Sequence, residues 1–114
     1  MRGLQQLRQE IDAVDDEILS ALVRRVSLAR SIGEMKQRTG QPVLDPAREA
    51  AVVTRAAARA REAGLPEPEM RALYWQLMAL ARRVQVSAGQ RSARQALSPE
   101  GASAGSRTSN VAPR

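Results

Sequence analysis

The chain of 114 residues is long enough for one small domain, and its 18 basic and 12 acidic residues give a net charge of +6. It contains no cysteine and no histidine, which excludes disulfides, thiolate metal sites and the mechanisms of Ser-His-Asp, Cys-His and zinc hydrolases. Residues 1–85 and residues 86–114 each carry a net charge of +3, so the positive charge is not concentrated in one segment. The only aromatic residues of the sequence are Tyr74 and Trp75. Because neither a basic face nor a base-stacking platform is evident, we expect no nucleic-acid partner.

The N-terminal sequence MRGLQQLRQEID becomes polar at once and lacks the apolar core of a signal peptide. No apolar stretch in the sequence is long enough to span a membrane. We therefore expect a cytoplasmic protein with no membrane partner.

Residues 4–38 are predicted to form one long helix, because apolar side chains recur there at intervals of three or four. This apolar stripe consists of Leu4, Leu7, Ile11, Val14, Ile18, Leu22, Val26, Ala29, Ile32 and Met35. At 1.5 Å per residue, the helix would be roughly 52 Å long.

The segment GQPVLDPARE separates the first two predicted helices. Gly40 and Pro42 are typical of the end of a helix. Asp45 followed by Pro46 indicates a new helix, since aspartate accepts hydrogen bonds from first-turn N–H groups and proline suits the first helical position. We predict the second helix over residues 46–62.

Gly64 and the sequence LPEPE at residues 65–69 predict a turn that opens a third helix, whose apolar stripe begins at Met70. Further along the chain, Ser, Ala, Gly and Pro dominate and large apolar side chains almost disappear. We therefore expect a helical domain over residues 1–88 and a disordered tail over residues 89–114.

The predicted helix lengths favour a dimer. Two helices of roughly 25–30 Å cannot cover an apolar stripe of roughly 52 Å. The uncovered part would form an exposed apolar patch larger than monomers usually tolerate. A two-fold dimer with the long helices side by side would cover it, with sites between helices that use both chains.

Four polar side chains accompany the apolar stripes. Arg8, Arg25 and Lys36 lie at the edges of the first stripe, and Gln85 places an amide on an otherwise apolar face of the third helix. One interpretation is that the aliphatic parts of the three basic side chains pack on the core while their charged groups reach water, and that the glutamine lies on the surface. The other is that these side chains converge on a small dianion, since the arginine fork pairs with carboxylates through two hydrogen bonds.

The sequence resembles the all-α class of chorismate mutases, the small helical dimers that convert chorismate to prephenate in phenylalanine and tyrosine biosynthesis. The matching pieces are LRQEIDAVDDEILSALVRRVSLARSIGEMK, PVLDPARE and ALYWQLMALARRVQ, which cover about residues 4–86. Seven polar positions are in register with the family pattern: Arg8, Arg25, Lys36, Asp45, Arg48, Glu49 and Gln85. The resemblance implies an all-α fold with one long and two short helices per chain, assembled as an intertwined helical-bundle homodimer with shared active sites.

The resemblance also implies roles for these residues. Arg8 would reach into the partner's site and bind one substrate carboxylate, and Arg25 would bind the other carboxylate from its own chain. Lys36 would donate a hydrogen bond to the ether oxygen of the substrate, with Gln85 as a second donor to that oxygen.

Further implied roles fall on the second and third helices. Arg48 would help to hold a carboxylate, and Asp45 and Glu49 would lie near the ring hydroxyl, with Glu49 the more direct contact. The chain has Ala81 where the family commonly has serine. A methyl group cannot donate the serine's hydrogen bond, so we expect a modest effect on substrate affinity.

The implied reaction is a [3,3]-sigmatropic rearrangement, a one-step isomerisation that needs no cofactor and no metal. Two enzymes that resemble this family and keep the same arginine clamp are alternatives: isochorismate pyruvate-lyase and 4-amino-4-deoxychorismate mutase. The non-enzyme alternative is a helical dimerisation module. The 29 residues after residue 85 are too few for a dehydratase or dehydrogenase domain, so we expect a monofunctional chain. Nothing in the sequence identifies a pathway-enzyme partner.

Overall fold

The computed structural model describes residues 2–97, and these residues form three α-helices and no strand. Helix α1 covers Leu4–Thr39, α2 covers Pro46–Glu62 and α3 covers Glu67–Leu97. The predicted all-α fold is confirmed, and the bounds of α1 and α2 agree with the prediction to within one residue. The prediction of two short helices is wrong for α3, which has 31 residues against 36 in α1. None of the three helices combines the length and the apolar character needed to cross a membrane.

The turn between α1 and α2 has the structure that its sequence predicts. Gly40 adopts a left-handed conformation with φ of 75°, and its backbone N–H donates to the carbonyl of Lys36. Asp45 caps α2, since its Oδ1 accepts a hydrogen bond of 3.1 Å from the backbone N–H of Arg48. Pro46 occupies the first position of α2. The segment therefore ends one helix and begins the next within six residues.

Helix α3 corrects the predicted start of the disordered tail. It continues to Leu97, so residues 89–97 are helical rather than disordered. Ala88 and Gly89 are both buried, and a Cβ added to Gly89 would lie only 3.2 Å from the carbonyl oxygen of Gly33 in α1. Close contact between small residues holds this part of α3 on α1. The prediction ended the helical domain too early because it relied on large apolar side chains. The rest of the predicted tail, residues 98–114, lies outside the described residues.

Helix α3 is the central element, because it packs against both α1 and α2, whereas within residues 2–97 no Cα atom of α1 lies within 8 Å of one in α2. The core that results is small, and its buried apolar residues are Ala29, Val53, Ala57, Ala60, Met78 and Ala88. The radius of gyration is 21.0 Å, against about 13 Å for a compact domain of 100 residues. The Cα atoms extend 74 Å along the longest axis and 17 Å along the shortest. A single chain is thus a thin, extended layer of helices.

The two halves of α1 differ in their surroundings. In the C-terminal half, residues 22–39, Ala29 and Gly33 are buried. In the N-terminal half, residues 4–21, every residue is exposed. The exposed apolar side chains of that half include Leu4, Leu7, Ile11, Val14, Ile18 and Leu19. The chain leaves one half of its longest helix without a packing partner.

Candidate active site

A cavity of about 540 Å³ lies between the three helices and the turn that joins α1 to α2. Seven of the eight predicted site residues line it: Arg25, Lys36, Asp45, Arg48, Glu49, Ala81 and Gln85. Its apolar wall consists of Leu28, Ala29, Ile32, Val43, Val52 and Met78. Positions that are 60 residues apart in the sequence thus surround one space, with charged and apolar surfaces side by side.

Lys36 and Gln85 are in direct contact across the α1–α3 packing. The Nζ atom of Lys36 donates to Oε1 of Gln85 and to the backbone carbonyl of Val43, both at 3.0 Å. An ammonium group has three donors, so one is left for a ligand in the cavity. Because Lys36 occupies the oxygen end of the Gln85 amide, the NH₂ end is left as a second donor.

The contact depends on Gly33, one turn before Lys36 on α1. A Cβ at this position would lie 2.6 Å from the Cα of Gln85 and 2.8 Å from its carbonyl carbon, closer than such atoms approach in proteins. Only glycine therefore allows the backbone of α3 to come this close to α1. The close packing at Gly33 was not predicted, although a glycine inside a helical pattern is a sequence signal for it.

Arg25 and Arg48 supply positive charge from two different helices. Arg25 lies on α1 and is half-buried, and Arg48 lies in the first turn of α2 and is exposed. Within residues 2–97 neither guanidinium is paired with a carboxylate. Both can therefore pair with carboxylates of a ligand.

Glu49 has a partner that the sequence analysis did not predict. Its Oε2 lies 3.3 Å from Nε of Arg82 on α3, and the Glu49 side chain is only 13% exposed. The Nε atom of Arg82 is itself buried and has no hydrogen-bond partner of good geometry. Sequence periodicity gives no signal for this ion pair, because it joins residues of two helices 33 positions apart.

Arg8 is the predicted site residue that does not reach the cavity. It lies in the exposed N-terminal half of α1, 17 residues before Arg25. That spacing corresponds to roughly 25 Å along a straight helix, much more than the length of an arginine side chain. The cavity of one chain therefore lacks this arginine.

A family model described as chorismate mutase type II matches residues 7–86. The chain belongs to the chorismate mutase type II family. The match includes all eight predicted site residues, from Arg8 to Gln85, and ends eleven residues before the end of α3. The recognised resemblance is thereby confirmed.

Several curated relatives of this chorismate mutase family member have related names. A 4-amino-4-deoxychorismate mutase from Streptomyces venezuelae is 41% identical over 71 residues, which are 62% of this chain and 69% of the relative. A bifunctional chorismate mutase/prephenate dehydratase from Aquifex aeolicus is 47% identical over 49 residues, 43% of this chain and 14% of the relative. A chorismate mutase from Methanocaldococcus jannaschii is 41% identical over 46 residues, 40% of this chain and 46% of the relative. No solved structure matches the chain.

Proposed function

We propose that the protein rearranges chorismate to prephenate in the cavity between its three helices, as a step of phenylalanine and tyrosine biosynthesis. The observation that carries the proposal is the meeting of Arg25, Lys36, Arg48 and Gln85 around one cavity, in a chain of the chorismate mutase type II family. The cytoplasmic location stays a prediction from the N-terminal sequence.

Substrate binding would rest on the two arginines. Chorismate is a dianion whose two carboxylates must be held at a fixed separation for the reacting carbons to approach each other. Arg25 on α1 and Arg48 on α2 have no carboxylate partner among the described residues and line the same cavity. Arginine–carboxylate pairs at fixed positions would hold the folded, chair-like conformation and convert binding energy into orientation of the reacting atoms.

Rate acceleration would rest on Lys36 and Gln85. In the transition state the breaking C–O bond leaves negative charge on the ether oxygen, and donors placed there in advance stabilise that charge. The 3.0 Å contact fixes the two side chains relative to each other and leaves one N–H of Lys36 and the NH₂ group of Gln85 as donors for this oxygen. The cationic donor would contribute more, because charged hydrogen bonds are stronger than neutral ones.

The complete site would require a second copy of the chain. The exposed apolar side chains on the N-terminal half of α1 form a surface that monomers seldom leave uncovered. A two-fold dimer would cover it and would bring Arg8 of each chain into the cavity of its partner. This arrangement explains why Arg8 lies in the family register but far from the cavity of its own chain.

A second candidate, the rearrangement of 4-amino-4-deoxychorismate, is favoured by one observation: the relative from Streptomyces venezuelae carries that name and is 41% identical. The two substrates differ in the ring substituent, an amino group in place of a hydroxyl. Incubation with each compound, followed by identification of the product, separates the two candidates.

The proposal is tested by following the ultraviolet absorbance of chorismate with the purified protein and with Arg25→Ala. We expect wild-type protein to consume chorismate with formation of prephenate, and Arg25→Ala to lower kcat/KM at least about a hundredfold. The matched control is Arg24→Ala, which removes the exposed neighbouring arginine and should keep near-normal activity. Equal activities of wild type and Arg25→Ala would contradict the proposal.

A further inference from the structure

The Glu49–Arg82 ion pair sits at the wall of the cavity. Glu49 lines the cavity, whereas Arg82 is not part of its lining and approaches the carboxylate from α3, at 3.3 Å. The Arg82 side chain is 36% exposed, but its Nε atom is buried against the carboxylate. The neighbouring Arg83 is exposed and has no carboxylate partner within residues 2–97. One of two adjacent arginines is therefore directed at the site.

The pair changes what the carboxylate offers to a ligand. An unpaired carboxylate in a partly buried cavity attracts a cationic ligand group strongly, because few water molecules screen its charge. A guanidinium at 3.3 Å from Glu49 offsets that charge and opposes any second cation nearby. The remaining carboxylate lone pairs can still accept a hydrogen bond from a neutral hydroxyl. The Glu49–Arg82 pair thus accepts a hydrogen bond from a ligand without presenting a net negative charge to it.

We infer that Arg82 is a positioning residue that sets substrate specificity: through its ion pair with Glu49 it favours a substrate with a neutral ring hydroxyl over one with a ring ammonium. The inference rests on the proposed function, since it assumes that the substrate ring lies against Glu49. The discrimination has a repulsive component, in which the guanidinium raises the free energy of the competing ligand rather than adding a contact to the preferred one.

The specificity is measured as the ratio of kcat/KM for chorismate to kcat/KM for 4-amino-4-deoxychorismate. We expect Arg82→Met to lower this ratio on the order of tenfold, mainly through faster turnover of the amino compound. Arg83→Met removes the same charge one residue away and should leave the ratio within about twofold of wild type. A loss of activity from altered packing alone would lower both kcat/KM values together and would not move the ratio.

A double-mutant comparison tests whether Arg82 acts through Glu49. Glu49→Gln alone should raise the ratio, since the ammonium loses its carboxylate. In the Glu49→Gln background, Arg82→Met should change the ratio by less than about threefold, because no carboxylate then holds the guanidinium at the cavity. The expected increase of the kcat/KM ratio in Glu49→Gln also tests the inference if Arg82→Met does not fold.

Two outcomes would overturn the inference and leave the proposed function standing. In the first, the protein converts both substrates and Arg82→Met leaves the ratio of the two kcat/KM values unchanged. In the second, Glu49→Gln has the same ratio as wild type. A wild-type protein that converts neither substrate overturns the proposed function, and this inference with it. The failure of the specificity argument is thus distinguishable from the failure of the proposed reaction.

Discussion

The two halves of α1 carry the same apolar spacing but have different surroundings. In the C-terminal half, residues 22–39, Leu22, Val26 and Ala29 of the stripe lie beside α3 and are half-buried or buried. Ile32 and Met35, further along the same stripe, stay exposed. In the N-terminal half, residues 4–21, the stripe is exposed, and Ile11 for example is 61% accessible. Periodicity therefore identifies an apolar face but does not say which molecule covers it. The length and direction of the neighbouring helices decide that.

The residues of the proposed site are distributed over both halves of α1. Lys36 and Arg25 lie in the packed half and line the cavity of their own chain. Arg8 lies in the exposed half and does not. Changes in the packed half should therefore affect the chemistry of an assembled protein, whereas changes in the exposed half should affect assembly first.

The largest effect is expected for Lys36→Ala in the packed half. Loss of the proposed cationic donor to the ether oxygen should lower kcat by about 10²–10³. Circular dichroism and the sedimentation profile should stay unchanged, because Lys36 is half-buried and makes no ion pair among the described residues. Arg38→Ala, two residues along the helix and exposed, is the control that should keep wild-type kcat. A Lys36→Ala protein that keeps more than a tenth of wild-type kcat would contradict the proposed role of Lys36 as the cationic donor.

Gly33→Ala should have a smaller effect that is still large. The added methyl group meets the backbone of Gln85, so α3 must move and the Lys36–Gln85 contact must lengthen. A displacement of about 1 Å in a catalytic group can cost roughly 10² in rate. We expect most of this loss in kcat, because the contact that must lengthen joins the two proposed donors to the ether oxygen.

The matched control for this change is Gly3→Ala, where nothing lies within 4 Å of the added carbon. It should leave both kinetic constants unchanged. If Gly33→Ala instead raised KM and left kcat intact, the close approach at Gly33 would not be what positions the two donors.

The smallest of the three effects is expected for Ile11→Glu in the exposed half. A charge on the stripe should weaken the dimer and lower activity roughly tenfold in dilute protein, with recovery as the protein concentration rises. Ser20→Glu adds the same charge on the opposite side of the helix and should leave the concentration dependence unchanged. Activity that is independent of concentration in Ile11→Glu would mean that this stripe does not form the proposed interface.

Much of the fold could be predicted because local signals agree with the tertiary structure. Gly40 and Asp45 end α1 and begin α2 through backbone geometry that is encoded locally. The end of α3 could not be predicted, because Ala88 and Gly89 are held by close approach of two backbones rather than by large side chains. Small residues acquire this role only when the partner helix is in place.

The candidate site shows the same division. Helical periodicity drew attention to Arg8, Arg25, Lys36 and Gln85 but left open whether they lie on the surface or in a site. Resemblance to a family favoured the site, because the register of a family reflects a three-dimensional arrangement. Arg82 lies outside that register, and its direction toward Glu49 follows from the crossing of α2 and α3. Gly33 was visible in the sequence as a glycine within a helix, but its contact with Gln85 is a property of the packed helices.

In the proposed dimer, each active site combines Lys36 of one chain with Arg8 of its partner. Mixing two inactive variants, Arg8→Ala and Lys36→Ala, under conditions in which subunits exchange tests this pairing. Half of the resulting dimers should be mixed, and each mixed dimer should contain one intact site. We expect an equimolar mixture to recover about a quarter of wild-type activity. A mixture no more active than the two variants measured separately would show that Arg8 and Lys36 of different chains do not share a site.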